Sequence, residues 1–202
     1  MQIRTGIFGG SFNPVHAGHT GLARHLLEQG FVDEVWLMVS PRNPLKQSAT
    51  LASEADRLHM ARLAVAQTPG IEASDFEFTL PRPSYTAHTL RRLVRAFPDR
   101  RFSLIVGADN WRVFRLWREH GYILRHYPLI VYPRGGQLSA DNGLDLTDAC
   151  GVRLIAAPEF PFSSTQVREA LHASDSRVAD MIAPEVLAYI REKNLYTSPT
   201  EK

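Results

Sequence analysis

Cysteine is nearly missing from this sequence: Cys150 is the only one in 202 residues. A single thiol excludes a disulfide framework within the chain and any zinc site built on cysteine pairs, and it fits a reducing compartment. Long hydrophobic runs are lacking too. No apolar stretch approaches membrane-spanning length, and MQIRTGIFGG carries too short an apolar segment for a signal peptide. A soluble cytoplasmic protein is expected. Net charge is small, formally +2, which argues against a dedicated nucleic-acid binder, whose basic residues collect on one face. Lysine supplies only 3 of the 23 basic residues. The arginine surplus is compatible with anionic small molecules, because a guanidinium fork matches carboxylate and phosphate; compositional bias produces the same surplus.

What is present is enough for a core. The hydrophobic share of 44% is ordinary for a globular protein, and the length suits one α/β domain covering 1–202. Strand and helix patterns alternate. Ile3 to Phe8 reads as a short strand ending at Gly9-Gly10. Ala17 to Gln29 reads as a helix, with Leu22, Leu26 and Leu27 at helical spacing and Gly30 at its C′ position. Glu34 to Val39 is a second strand. Ser53 and Asp56 have the form of a capping box opening a helix with Leu58, Ala61, Leu63 and Val65. Ile71 to Ser74, Phe102 to Val106, Leu129 to Tyr132 and Val152 to Ala156 are further strands. Helices are predicted over Thr86 to Phe97, Ser164 to His172 and Pro184 to Lys193. Another is predicted over Asp109 to His120, with Val113, Leu116 and Trp117 on one face. This order predicts a doubly wound, mostly parallel sheet of Rossmann-like type with helices on both faces. Ligands of such sheets bind beyond the carboxyl ends of the strands. The two long loops, 40–52 and 133–151, are of the length that is usually functional or mobile.

The loop after the first strand carries the strongest signal. Gly9 and Gly10 permit close backbone approach and positive φ, and Asn13-Pro14 marks a turn. His16 and His19 lie three apart at a helix start, so both rings project from one face of a terminus that already attracts phosphate. The loop lacks the lysine and spacing of a Walker loop, and it is not GxGxxG. A metal reading of the two histidines needs a third ligand, and none is evident. Near the other end, Ser163, Ser164 and Thr165 precede Arg168 by one turn, a second possible phosphate cradle; a plain serine N-cap with an exposed arginine is the alternative.

GGSFNPVHAGH (9–19) resembles the signature of the HxGH nucleotidyltransferases, and SSTQVR (163–168) looks like their SSTxxR element. Over nearly the full length, from Gly6 to Tyr196, the chain is similar to the bacterial nicotinate-mononucleotide adenylyltransferase family. The stretches that carry the likeness are PRNPLK (41–46), PSYTAHTL (83–90), GADNWRVFRLW (107–117), VYPR (131–134) and VLAYI with Leu195-Tyr196. There are departures. Leu45 stands where the family often has histidine, His88 where it often has aspartate, and Asn13 where aspartate is common; Asn13 keeps a side-chain oxygen acceptor.

The resemblance implies a nucleotidyltransferase fold and adenylyl transfer from ATP to nicotinate mononucleotide. The product is nicotinate adenine dinucleotide, in NAD biosynthesis, with Mg²⁺ carried by the ATP phosphates. It implies that His16 and His19 hold the triphosphate, with His19 on the α-phosphate. Gly9, Gly10, Ser11 and Phe12 would lie at the phosphates. Lys46 and Arg168 would neutralise pyrophosphate, and Ser163, Ser164 and Thr165 would cap it. Gly107 and Asp109 would take the adenosine. Trp117 and Tyr85 would wall the pyridine ring, and Thr86 with nearby backbone N–H groups would meet its carboxylate. Other acceptors, such as nicotinamide mononucleotide or a phosphopantetheine, and a nucleotide sensor without turnover are the rivals. Arg91, Arg92, Arg95, Arg112, Arg115 and Arg118 are expected on solvated helix faces.

Overall fold

The computed structural model describes residues 2–41, 51–133, 149–158 and 162–197. Six parallel strands form one sheet in the order β3-β2-β1-β4-β5-β6. They are β1 (Ile3–Gly10), β2 (Glu34–Val39), β3 (Ile71–Ser74), β4 (Arg100–Gly107), β5 (Leu129–Tyr132) and β6 (Val152–Leu154). Helices α1 (Ala17–Glu28), α2 (Glu54–Val65), α3 (Thr86–Ala96), α4 (Ala108–Arg112) and α5 (His120–His126) connect them. The chain then runs through α6 (Ser164–His172), α7 (Val178–Met181) and α8 (Pro184–Glu192). Pro184 opens α8, where its missing N–H costs nothing.

Both faces of the sheet are covered, so the strands read as apolar runs whose alternate residues enter different cores. In β2, Val35, Leu37 and Val39 face the core shared with α1, α2, α6 and α8, while Trp36 and Met38 enter the core shared with α3, α4 and α5. In β4, Ile105 joins the first core and Phe102, Leu104 and Val106 the second. Strand order reverses between β1 and β4, which pair in register from Ile3↔Arg100 to Phe8↔Ile105. The carboxyl ends of these two strands therefore frame the crevice expected to take a ligand.

One predicted helix is not formed. The segment from 109 to 120 breaks into α4, a 3₁₀ turn at Phe114–Leu116 and then α5, entered through Glu119 at φ 58. Val113 and Leu116, expected on the buried face, are 40% and 76% exposed. Trp111 and Phe114 are buried instead, and Trp111, Phe114 and Trp117 form a ring series with centroids 5.4 and 5.0 Å apart. Their spacing of three matches the eclipsed i, i+3 side chains of a 3₁₀ turn. Aromatic packing at that spacing overrides the aliphatic stripe. The short 3₁₀ turn Phe76–Thr79 and helix α7 were not anticipated. Among the described residues no helix is long and apolar enough to cross a membrane.

Candidate active site

The first motif sits at the carboxyl end of β1. Gly9 and Gly10 continue the strand and do not use the positive φ open to them; Phe12 adopts one, at φ 47. A phenylalanine there is strained by roughly 1–3 kcal/mol, and strain of this kind persists only where packing over-determines it. The packing is visible. Phe12 is 2% exposed, its ring meets Phe8 and His19 edge-on at 5.9 and 4.9 Å, and a Cβ on Gly10 would come within 3.0 Å of it. Phe12 was expected among the ligand contacts. Its ring is instead sealed inside the core, where it backs the His19 imidazole.

His16 is the N-cap of α1 rather than a member of its first turn, and His19 is N3. His16 Nδ1 accepts from the Gly18 N–H at 3.1 Å, and His19 Nδ1 accepts from the His16 N–H at 3.2 Å. The pair forms a capping box with imidazoles in the roles usual for serine and glutamate. Because each Nδ1 is an acceptor, each neutral ring carries its proton on Nε2. The rings lie 3.7 Å apart, centroid to centroid, so the two imidazoles pack together at the helix N-terminus. The cap thus sets tautomer and orientation together.

The second motif, 150 residues away in sequence, docks on the first. Ser164 Oγ donates to the Pro14 carbonyl at 3.0 Å, and Arg168 Nη1 donates to the Asn13 carbonyl at 2.7 Å. Ser163 is the α6 N-cap in a capping box with Gln166, as its alternative reading had it. Arg168 departs from that reading: it is half-buried, its Nη2 also reaches Thr165 Oγ1 at 3.3 Å, and its Nε is buried without a hydrogen-bond partner among the described residues. Burial pushes its guanidinium below the ordinary value, opposed by Tyr196 and Glu169. Ser164 spends its one hydroxyl proton on Pro14, so its remaining donor toward a phosphate is its backbone N–H at the α6 N-terminus. Asn13 Oδ1 accepts from the Ala52 N–H at 3.1 Å and from Tyr196 Oη at 2.7 Å, which ties the turn to the segment that follows α8.

A residue that sequence reasoning passed over lies underneath. Arg57 is 0% exposed, and its guanidinium donates to four carbonyls: Ser11, Ser40 and Pro41 at 2.7 Å and Ala52 at 3.1 Å. It joins the loops after β1 and β2 to the start of α2. The signal was available: Arg57, Met60 and Ala61 fall at i, i+3, i+4 on the buried face of α2.

Beside this assembly a cavity of about 360 Å³ opens between β1, β4 and the start of α3. Gly9, Gly10, Gly107, Tyr85, Thr86 and Trp117, all expected at a ligand, line it. A Cβ on Gly107 would lie 2.6 Å from Asp109 Oδ1 and 3.1 Å from Tyr132 Oη, so this glycine first makes room for the protein's own groups. Asp109 is exposed in the first turn of α4 and does not line the cavity, which its neighbour Asn110 does. Trp117 is partly buried against Phe114 and not on a helical stripe. Lys46, with Leu45 and most of both long loops, lies outside the described residues. Two of the arginines assigned to solvated faces do more. Arg91 pairs with Glu119 and covers the Tyr122 ring at 3.7 Å, and Arg118 covers the Tyr85 ring at 4.7 Å. Among the described residues no group of three His, Cys, Asp or Glu is placed to hold a metal ion.

A parallel sheet with a histidine-capped helix after β1 and a second helix N-terminus docked on it defines a nucleotidyltransferase of the cytidylyltransferase-like family, whose model matches residues 7–170. Within that class the chain belongs to the nicotinate-nucleotide adenylyltransferase family. It is 46% identical over 191 residues to a "probable nicotinate-nucleotide adenylyltransferase" of Bacteroides thetaiotaomicron, covering 95% of this chain and 92% of that one. It is 48% identical over 170 residues to one from Bacteroides fragilis, covering 84% and 83%. Among solved structures the fold is similar to nicotinic acid mononucleotide adenylyltransferase of Plasmodium falciparum complexed with NaAD. The TM-score there is 0.78 at 20% identity, over 96% of this chain and 98% of that one.

Proposed function

We propose that the protein transfers the adenylyl group of ATP to nicotinate mononucleotide, giving nicotinate adenine dinucleotide and pyrophosphate, a step of NAD biosynthesis. One observation carries the reading: the stacked His16 and His19 rings cap α1, and the α6 N-terminus with Arg168 docks on the Asn13–Pro14 turn that leads into it, beside a cavity at the switch point of the sheet. An anionic chain of phosphates suits that set of donors.

In the reaction an oxygen of the mononucleotide phosphate attacks the α-phosphorus of ATP. One P–O bond forms there, and the bond to the bridging oxygen of the β-phosphate breaks with its electron pair leaving on pyrophosphate. The nucleophile is already an anion, so no strong general base is needed, and rate comes from positioning and charge stabilisation. His19 would donate to the α-phosphate and His16 to its neighbour. Gly9, Gly10 and Ser11 would bring backbone to the phosphates. Arg168, Lys46 and the Ser163–Thr165 turn would hold the leaving pyrophosphate, where the unpartnered Arg168 Nε–H has an acceptor to gain. Gly107 and Asp109 would meet the adenosine. The pyridine ring would enter between Trp117 and Tyr85, with Thr86 and the α3 N-terminus at its carboxylate. Mg²⁺ enters with ATP, as counter-ion of its phosphates.

The test is pyrophosphate release with ATP and a panel of acceptors. Release with nicotinate mononucleotide, and a dinucleotide product in equal amount, is expected. ATP binding with no release on any acceptor would instead fit a sensor. Gly9 gives a finer check. Its Cβ would meet nothing within 4 Å, although the residue lines the cavity. Gly9→Ala should therefore keep or slightly raise the melting temperature, since alanine loses less backbone entropy on folding. It should raise KM for ATP several-fold by holding the phosphates off the strand end. An unchanged KM would remove Gly9 from the site.

A further inference from the structure

Among the described residues only two charged ones line the cavity, Glu77 and Arg118. Glu77 is engaged within the wall: it is buried, and its oxygens accept from Thr89 Oγ1 at 2.8 Å and Ser84 Oγ at 3.2 Å. Arg118 is differently placed. Its neighbour in sequence, Glu119, is taken by Arg91, and none of the ion pairs among the described residues includes Arg118. Its guanidinium lies 4.7 Å above the Tyr85 ring, a shelf that holds it at the cavity wall through cation–π attraction. It directly follows Trp117, which leaves the 3₁₀ turn in extended geometry, φ −71 and ψ 138. The chain thereby brings a flat aromatic surface and a cation to the same compartment.

We infer that Arg118 is the residue that makes the site prefer an acidic pyridine mononucleotide over its amide. This rests on the reaction proposed above and says which residue sets its acceptor. A ring carboxylate presents two oxygens in plane, a shape a guanidinium matches through paired N–H donors with full charge on both sides. A carboxamide of the same outline offers one acceptor, no charge, and an NH₂ that faces the guanidinium donor to donor. The cation thus both attracts the acid and disfavours the amide. Arg118 is exposed, so its charge is partly screened by salt, and the preference it confers should weaken as ionic strength rises.

The experiment compares kcat/KM for nicotinate and nicotinamide mononucleotides, each with ATP, in the wild type, Arg118→Ala and Arg118→Lys. In the alanine variant the acid should lose about tenfold, through KM, and the amide should change by less than about twofold. KM for ATP and the melting temperature should stay as they are. Lysine, which keeps the charge without the planar fork, should recover part of the preference. Equal losses for both mononucleotides would overturn the proposal by placing Arg118 on the phosphate they share. An unchanged ratio would overturn it as well. A wild type that turns over neither compound would sink the parent reaction, and this claim with it, before any variant is compared.

Discussion

His19→Asn is expected to lower kcat with ATP and nicotinate mononucleotide by about 10²–10³ in a protein that still folds. The substitution separates the two jobs of the imidazole. Asparagine places an amide oxygen near the position of Nδ1, so it can still accept the His16 N–H now bonded at 3.2 Å and keep the α1 cap. It has nothing at the position of Nε2, the donor that would face the α-phosphate. The ring also packs against Phe12 at 4.9 Å and Phe8 at 5.8 Å, so losing it should cost about 1–2 kcal/mol of stability, a drop of a few degrees. His19→Gln, whose amide nitrogen reaches toward the Nε2 position, should restore part of the rate and less of the cap. The two variants should thus diverge, with Asn the more stable and Gln the more active. Near wild-type kcat in a folded His19→Asn protein would remove His19 from the chemistry. Stability and rate falling in proportion across both variants would reduce its role to capping.

Strand positions were legible because parallel strands buried on both faces form compact apolar runs, as Glu34–Val39 and Leu129–Tyr132 do. The histidine pair was legible because its spacing is local: the capping box spans only His16 to His19. What could not be read are features that depend on distant parts of the chain meeting. Ser164 finds Pro14 across 150 residues, and Tyr196 finds Asn13 across 183. The 109–120 segment was misread for a related reason. Its aliphatic residues have helical spacing, but the aromatic residues bury more area each, and they choose which face turns inward. Phe12 stands at the ligand by its neighbours in the motif, yet a motif also contains its own scaffolding, and Phe12 is that part. Arg118 looked like surface because a helix face was assumed where the chain makes an extended turn beside a cavity.

Arg57→Met should destabilise the protein by about 3–5 kcal/mol, the balance of several buried acceptors losing their donor against one desolvated charge removed. At this chain length that lowers the melting temperature by very roughly 2–4 °C for each kcal/mol. Two effects oppose each other. Burial already holds the Arg57 guanidinium below its ordinary value, against the attraction of Glu54 and Tyr196, so an apolar side chain relieves a desolvation cost. Against that, four carbonyls lose their donor at once, and each buried acceptor left unsatisfied costs about 1–3 kcal/mol. Four such losses outweigh one relieved charge even if some carbonyls turn to water. The carbonyls concerned also sit where function is proposed. Ser11 closes the phosphate loop, and Ser40 and Pro41 lead into the PRNPLK segment that carries Lys46. Freed loops should raise KM for ATP more than they lower kcat, because the His16–His19 cap does not depend on Arg57. Arg57→Lys keeps the charge but cannot span four acceptors with one ammonium group, so it should recover little of either loss. Thermal melts and ATP kinetics on the two variants decide it: unchanged melting temperature and KM in Arg57→Met would mean that the loops hold themselves.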